Sequence, residues 1–588
     1  MKNQISFYLH SSRFRLLLLI YLFVTGVSLL TRVVLLIYSS HEIDCTVGNV
    51  IGIFFIGFLY DIISAGYFTI PIVLYLWFMP EKFFKHKIHY IVLYLLFVVS
   101  CIVLLVNAAA EFFFWEEFSS RFNFIAVDYL VYTTEVLGNI NQSYPIEWII
   151  TVIALISVLA TFVLRKFLVI DPNDKSIRLK QRTTPAALVL TFPVFCFFFI
   201  DNTLHFFSNN AYANELAGNG MYELFAAYRN NELDFVKFYP HITDREAVVN
   251  VKKLIGGSAE KKMDDYSLVH EVPSSGEEKK MNVVLISVES LSAEYMGLFG
   301  NDQGLTPFLD SLSQHSLTFT NVYATGTRTV RGLEALSLSV PPTPGQSIVR
   351  RPNNEGLFTL ATVFHQKGYA CKYIYGGYGY FDNMSYYFGN NGYEVIDRSA
   401  LDDDEIDYEN IWGIADENLF TLSLREIDQT VDSGKQVFAH IMTTSNHRPF
   451  TYPAGRIDIP SHTSRAGAVK YTDYALCKFF HEARKKKWFE NTIFVVTADH
   501  CASSAGKTEL PIKKYQIPLL IFSPGKILPQ HEDRLMSQID IAPTLLGLLN
   551  FSYTSKFYGY DIFKLKKGNE RAFISTYQAL GLLEGDTM

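Results

Sequence analysis

The sequence predicts a multi-pass α-helical membrane domain followed by an α/β domain with a largely parallel central sheet. Three observations carry this. Apolar runs of spanning length crowd residues 1–205. From Met281 onward, short β-branched runs alternate with amphipathic stretches. Several of those runs end in side chains that bind metals or phosphates, and open α/β sheets gather their sites at the carboxyl ends of strands.

The chain has 588 residues, 49% hydrophobic and 19% charged. The averages hide two halves: Leu, Ile, Val and Phe dominate residues 1–205, while residues 240–588 have the mixed composition of a globular domain. A net charge of -7 without a long basic block argues against nucleic acid as a partner. The six cysteines form no CxxC pair, which excludes a zinc ribbon or a dense disulfide framework. A single bridge among Cys371, Cys477 and Cys501 stays open.

A helix needs roughly 20 apolar residues to cross a bilayer. Leu16–Tyr38, Tyr90–Ala109, Trp148–Leu164 and Ala186–Ile200 read as spans. Val50–Met79 is longer and holds Asp61, Gly66 and Pro71, so on length alone it is one broken span or two short ones. Loop charge decides between them. Lys2, Arg13 and Arg15 place the N-terminus inside; Glu42 and Asp44 follow the first span outside; Lys82, Lys85 and Lys87 are inside again. The acidic, aromatic stretch Glu111–Glu147 is then outside, and Arg165, Lys166, Lys175, Arg178, Lys180 and Arg182 inside. Five spans satisfy this pattern and put everything after Asp201 outside. The first run lacks a small-residue cleavage site and reads as a retained span. Asp61 is either a functional group or a charge neutralised at a helix break by backbone groups or Arg32. Residues 110–146, with Phe112, Phe113, Phe114 and Trp115 beside Glu116 and Glu117, are expected along the outer interface. The expected domains are 1–205 in the membrane, a connector 206–280, and a catalytic domain 281–588.

Asn282–Val288 is a run rich in β-branched residues, as a strand buried on both faces should be. Ala370–Tyr375, Val437–Thr443, Thr492–Thr497 and Leu519–Phe522 read as further strands. Leu305–His315, Leu357–Lys367, Val469–Lys487 and Ile541–Leu549 read as helices. Glu289, Asn446-His447 and Asp499-His500 each follow an expected strand. Glu289, Asp499 and His500 are a donor set for Mn²⁺, Mg²⁺ or Zn²⁺, although a strand-end carboxylate also serves as a helix cap. In Ala324–Arg331, Thr329 opens an expected helix and offers a hydroxyl that a divalent ion would activate to attack phosphorus. Arg328 and Arg331 stand beside it to neutralise phosphate oxygens. The blander reading of that segment is a Thr-rich turn with solvated arginines.

Taken together, Leu-Ile-Ser-Val-Glu-Ser (Leu285–Ser290), Gly-Thr-Arg-Thr (Gly326–Thr329), Thr-Ser-Asn-His (Thr444–His447), Thr-Ala-Asp-His (Thr497–His500) and Asp-Ile-Ala-Pro-Thr-Leu-Leu (Asp540–Leu546) resemble the lipoteichoic acid synthase family. That family comprises membrane phosphoglycerol transferases within the alkaline phosphatase and sulfatase superfamily. The resemblance implies one divalent cation, Mn²⁺ or Mg²⁺ in preference to Zn²⁺, held by Glu289, Thr329, Asp499 and His500. It implies that Thr329 takes glycerol phosphate from phosphatidylglycerol and releases diacylglycerol. His447 would contact phosphate or move a proton, and a glycan or glycolipid would be the acceptor. It also implies a multi-pass cell-membrane protein, in the inner membrane if Gram-negative, with a periplasmic or otherwise extracytoplasmic catalytic domain.

Departures qualify the match. The family's His-Gly and Phe-Trp-Asn-Arg elements, which grip glycerol phosphate, are Tyr375-Gly376-Gly377 and Tyr380-Phe381-Asp382-Asn383 here. Arg331 and Arg351 would have to supply the absent charge. Thr329–Glu334 and Pro341–Gly345 resemble the Gram-negative branch. No Cys/Ser-x-Pro-x-Arg motif is present, so formylglycine sulfatase chemistry is not expected. The alternatives are phosphoethanolamine transfer to a lipid or glycan, and a catalytically inactive headgroup sensor.

Overall fold

The computed structural model describes residues 12–168, 177–229, 239–255, 266–585 and 587. Lys2 and Lys175, used above for orientation, lie outside the described residues. The chain divides into two compact units. One comprises Met1–Thr133, Tyr144–Asn231 and Ala505–Glu509, and the other Thr134–Ser143, Glu232–Ser504 and Leu510–Met588.

In the first unit, among the described residues, five helices are long and apolar enough to cross a membrane. They are α1 (Ser12–Tyr38), α2 (Val47–Phe78), α3 (Lys87–Phe118), α5 (Ile146–Leu168) and α6 (Leu179–Phe199); between the third and fourth come a helix over Phe124–Val131 and then α4 (Thr133–Ser143), which belongs to the second unit except for its first residue. The Thr46 side chain caps α2 by accepting the Asn49 amide. Pro71 lies inside α2, which crosses as one element. Phe112–Trp115 continue α3 rather than starting a separate interfacial segment, and Trp115 is buried. Two short helices, α7 (Ala211–Ala217) and α8 (Gly220–Arg229), complete the unit.

Asp61 is resolved by its partner. Arg32 grips it in a fork, Nη1 to Oδ2 at 2.7 Å and Nη2 to Oδ1 at 2.9 Å, and both side chains are fully buried. Arg32 Nε and Nη2 also donate to the Leu216 and Gly218 carbonyls, and Asn219 Nδ2 donates to Asp61. A side chain at Gly57 would collide with this guanidinium. The pair thus staples α1 to α2 and to the turn between α7 and α8. Removing one partner leaves a buried charge uncompensated, which costs about 3–5 kcal/mol. Asp61→Ala should therefore lower the thermal midpoint in detergent sharply, and Arg32→Ala added to it should cost little more.

The second unit is built on a nine-stranded sheet. Its strands are β1 (Asn282–Val288), β2 (Leu317–Tyr323), β3 (Ala370–Tyr375), β4 (Glu394–Ile396), β5 (Val437–Met442), β6 (Thr492–Ala498), β7 (Gln516–Phe522), β8 (Gln530–Glu532) and β9 (Met536–Ser537). The spatial order is β8-β2-β7-β6-β1-β5-β3-β4, with β9 also pairing β2. β1 is central, parallel to both β5 and β6, and buried along its whole length. That is why five of its seven residues are Val, Leu or Ile. β7 runs antiparallel to β6 and to β2, so the sheet is mixed though mostly parallel. Helices α9 (Thr329–Leu338), α10 (Asp416–Asp432), α11 (Arg465–Ala483) and α12 (Ile541–Leu548) flank it. The sequence reading missed β2 and α10. The cysteines are all free, so the bridge left open among Cys371, Cys477 and Cys501 does not form.

Candidate active site

β1 and β6 are parallel neighbours, with Val288 opposite Ala498. Register therefore delivers Glu289 and Asp499 side by side at the carboxyl edge. Each is tied to a neighbouring segment: the Ser290 amide donates to Asp499 Oδ1 at 2.8 Å, and the Glu289 amide to Thr443 Oγ1, after β5, at 2.9 Å. His500 follows directly. Its Nδ1 donates to the Cys501 carbonyl at 2.7 Å, which turns Nε2 toward the carboxylates as the free donor nitrogen. Nε2 lies 3.5 Å from Glu289 Oε1 and 3.5 Å from Asp499 Oδ2. Donor atoms of Glu289, Asp499 and His500 all fall within 4.8 Å of one another.

This cluster fits a cation. Asp499 Oδ2 is fully buried and accepts no hydrogen bond, which would be costly without a positive partner. Electrostatics agree. Burial pushes Asp499 up, and the Glu289 charge adds to it, to about 7. Burial opposes ionisation of Glu289 too, but His447 and His500 outweigh it and hold that carboxyl well below the usual range. His500 is pushed up to about 9, because Asp499 and Glu289 outweigh the penalty of burial. Two carboxylates and a ring crowded this closely share charge that a divalent ion would resolve.

The nucleophile candidate arrives from a third direction. Arg328 is extended and caps α9, so Thr329 is the first helical residue. Its hydroxyl donates to Glu289 Oε2 at 3.1 Å. The helix runs to Leu338 and stops at Ser339, which is left-handed at φ 51°, ahead of Pro341-Pro342. His447 comes from the loop after β5. Its Nε2 is 3.4 Å from Glu289 Oε1, on the opposite carboxylate oxygen from Thr329. Glu289, Thr329, His447, Asp499 and His500 thus meet at the carboxyl edge of the sheet.

Resemblance to solved proteins follows this geometry. A structure of a protein in the alkaline phosphatase superfamily from Vibrio parahaemolyticus is 34% identical, with a TM-score of 0.55, over 60% of this chain and 86% of that one. The chain belongs to the alkaline phosphatase superfamily. Within this superfamily member, residues 281–551 match the Sulfatase family. Lipoteichoic acid synthase 1 of Bacillus subtilis (strain 168) is 26% identical over 329 residues, 51% of this chain and 50% of that protein. Phosphoglycerol transferase I of Xanthomonas campestris pv. campestris is 25% identical over 309 residues, 48% and 43% of the two chains. The chain spans about half the length of the curated relatives it matches. The integral membrane protein lipooligosaccharide phosphoethanolamine transferase A from Neisseria meningitidis covers 91% of this chain and 95% of its own, with a TM-score of 0.55. At 14% identity, that likeness shows the fold, membrane helices included.

Not every expected residue of this alkaline phosphatase superfamily member reaches the site. Arg331 is buried and commits its guanidinium to Glu334 at 3.0 Å and to the Thr343 and Gly345 carbonyls. Arg351 likewise donates to Thr343 Oγ1 and to the Gln346 and Pro344 carbonyls. Both arginines pin the 343–346 loop, which corrects the expectation that they supply charge to the phosphate. Arg328 is half-buried immediately before Thr329. Three supporting residues were not foreseen. Asp416, opening α10, accepts the Thr444 and Ser445 amides and so fixes the loop that carries His447. Gln538 Nε2 donates to the Ala498 and Asp499 carbonyls, and the Gln538 side-chain oxygen accepts from the Thr325 amide. Trp412 stacks on His447, ring centres 4.4 Å apart at 19°. Only Gln538 had a sequence signal, its place just before the Asp540–Leu546 motif.

Proposed function

We propose that this protein transfers glycerol phosphate from phosphatidylglycerol to an extracytoplasmic glycan or lipid acceptor, with Thr329 carrying the phosphoryl group between them. The observation that carries the reading is the Thr329 hydroxyl on Glu289 Oε2 at 3.1 Å, at the start of α9 and beside a three-residue metal-binding cluster. Glu289, Asp499 and His500, joined by Thr329 Oγ1, would hold Mn²⁺ or Mg²⁺. Such an ion supplies positive charge that acidifies the threonine hydroxyl and neutralises phosphoryl oxygens.

The residues divide the work as follows. Glu289 Oε2 holds the Thr329 proton and aims the oxygen at phosphorus. The first amides of α9 face the phosphoryl oxygens, and Arg328 adds charge from the preceding residue. Thr329 Oγ forms a bond to phosphorus as the bond to the diacylglycerol oxygen breaks. His447 Nε2 gives that oxygen its proton. In the second half the acceptor hydroxyl loses its proton to His447 and bonds to phosphorus, and the bond to Thr329 breaks as its oxygen regains the proton from Glu289 Oε2. On this reading the catalytic domain faces the extracytoplasmic side, which is periplasmic for an inner-membrane protein.

Phosphoethanolamine transfer is the second reading. It follows from the Tyr380–Asn383 segment, which lacks the tryptophan and arginine with which the resembled family grips glycerol phosphate. One experiment decides. The protein is incubated with Mn²⁺ and vesicles of phosphatidylglycerol or of phosphatidylethanolamine, and the peptide holding Thr329 is weighed by mass spectrometry. Phosphoglycerol on Thr329 from the first lipid is the expected result. Phosphoethanolamine from the second would replace the donor, and no adduct with either would overturn the mechanism.

A further inference from the structure

We propose that Glu135 and Gln142, on the helix between the third and fourth spans, are positioning residues for His447. They act through two loops of the catalytic unit, and the proposal rests on the reading that His447 works in this site. Helix α4 belongs to the second unit except for its first residue. Its Glu135 carboxylate is buried and accepts the Tyr380 hydroxyl at 2.6 Å. Gln142 Oε1 accepts the Ile411 amide at 3.1 Å. Between them Gly138 lies so close to Ile411 that a Cβ there would overlap its side chain. Positions 135, 138 and 142 are spaced i, i+3, i+7, so a single helix face makes all three contacts.

Those contacts end on the rings that seat His447. Tyr380 precedes Phe381, whose ring meets Trp412 edge-on, 5.4 Å between centres at 79°. Ile411 precedes Trp412, whose Nε1 donates to the Arg448 carbonyl at 2.6 Å while its face covers the His447 ring. His447 Nε2 in turn faces Glu289 Oε1 at 3.4 Å. A buried carboxylate is costly unless hydrogen-bonded, so Glu135 has its Tyr380 contact as a structural requirement. The same bond pushes the Tyr380 hydroxyl up to about 12, which keeps it a donor at every physiological pH. The rigid line from α4 to His447 fixes the ring that must meet both leaving group and acceptor.

The test uses the full chain in nanodiscs. Glu135→Ala and Gly138→Leu break the contact, while Glu135→Gln keeps an acceptor oxygen. Displacing a catalytic group by about 1 Å can cost up to about 100-fold. Both disrupting variants should therefore lose kcat with unchanged Mn²⁺ affinity at temperatures where circular dichroism shows them folded, and Glu135→Gln should retain it. In parallel, diethyl pyrocarbonate modification of His447, read on its peptide by mass spectrometry, should quicken several-fold in Glu135→Ala and Gly138→Leu but not in Glu135→Gln. Parent-like labelling in both disrupting variants overturns the proposal. If the parent itself shows no turnover, the phosphotransfer reading fails, and the labelling still decides whether α4 positions His447.

Discussion

Thr329→Ala is expected to leave no measurable turnover, a loss on the order of 10⁴-fold or more, as for other enzymes stripped of their nucleophile. The fold should survive. Thr329 is only partly buried, and its hydroxyl makes one bond, to Glu289. Losing such a bond costs about 1 kcal/mol. Glu289, Asp499 and His500 remain to hold the ion, so metal content should fall little. Thr329→Ser keeps an oxygen at the first position of α9 and should recover part of the rate. Diacylglycerol release from labelled vesicles reads the rate, and circular dichroism with a melt reads the fold. Undiminished release by Thr329→Ala would remove the covalent mechanism while leaving the superfamily assignment untouched.

Gly332→Ala should cost about 100-fold, although Gly332 carries no chemistry. A methyl there would overlap the Asp499 carbonyl carbon and oxygen. Neither side can yield cheaply. The Asp499 carbonyl also accepts from Gln538, and its amide points to the Val288 carbonyl at 3.4 Å. Helix α9 is buried along its length after Thr329. Overpacking of this kind costs about 1–3 kcal/mol. The larger effect is geometric: α9 must shift, carrying Thr329 away from Glu289, and about 1 Å of misplacement can cost about 100-fold. Calorimetric titration with Mn²⁺ should show weaker binding, because the methyl presses on the backbone of a ligand. A variant with normal affinity and rate would mean that α9 and β6 are less tightly seated than their contact requires.

Why some of this was legible in the sequence follows from local physics. β1 sits between two parallel neighbours and is buried on both faces, so apart from Asn282 and Ser287, whose side chains are hydrogen-bonded, it is apolar, and its bounds could be read to the residue. Asp499-His500 stood out because charged residues directly after such a strand have few structural excuses. β2 was not legible: Thr318, Thr320 and Asn321 interrupt its apolar pattern, since it lies between an antiparallel partner and short edge strands. Helix α10 was missed because its buried face includes Asp416, Glu417, Asn418 and Ser423, polar groups whose burial is justified by partners far along the chain.

The arginines teach the same lesson from the other side. Arg328 and Arg331 looked equivalent beside Thr329, yet Arg328 is the extended cap outside the helix and Arg331 lies within its first turn. Arg331 consequently falls on the buried face, where Glu334 one turn on claims it. Sequence alone determined the five apolar spans and the central strands, because each follows from transfer energies within a short run of residues, and it singled out Glu289, Asp499 and His500, whose donor atoms the fold gathers within 4.8 Å. Only the tertiary structure decided that Asp61 is answered by Arg32, that Trp412 seats His447, and that Glu135 reaches Tyr380. Those pairings depend on which distant segments pack together, and composition or periodicity does not encode that choice locally.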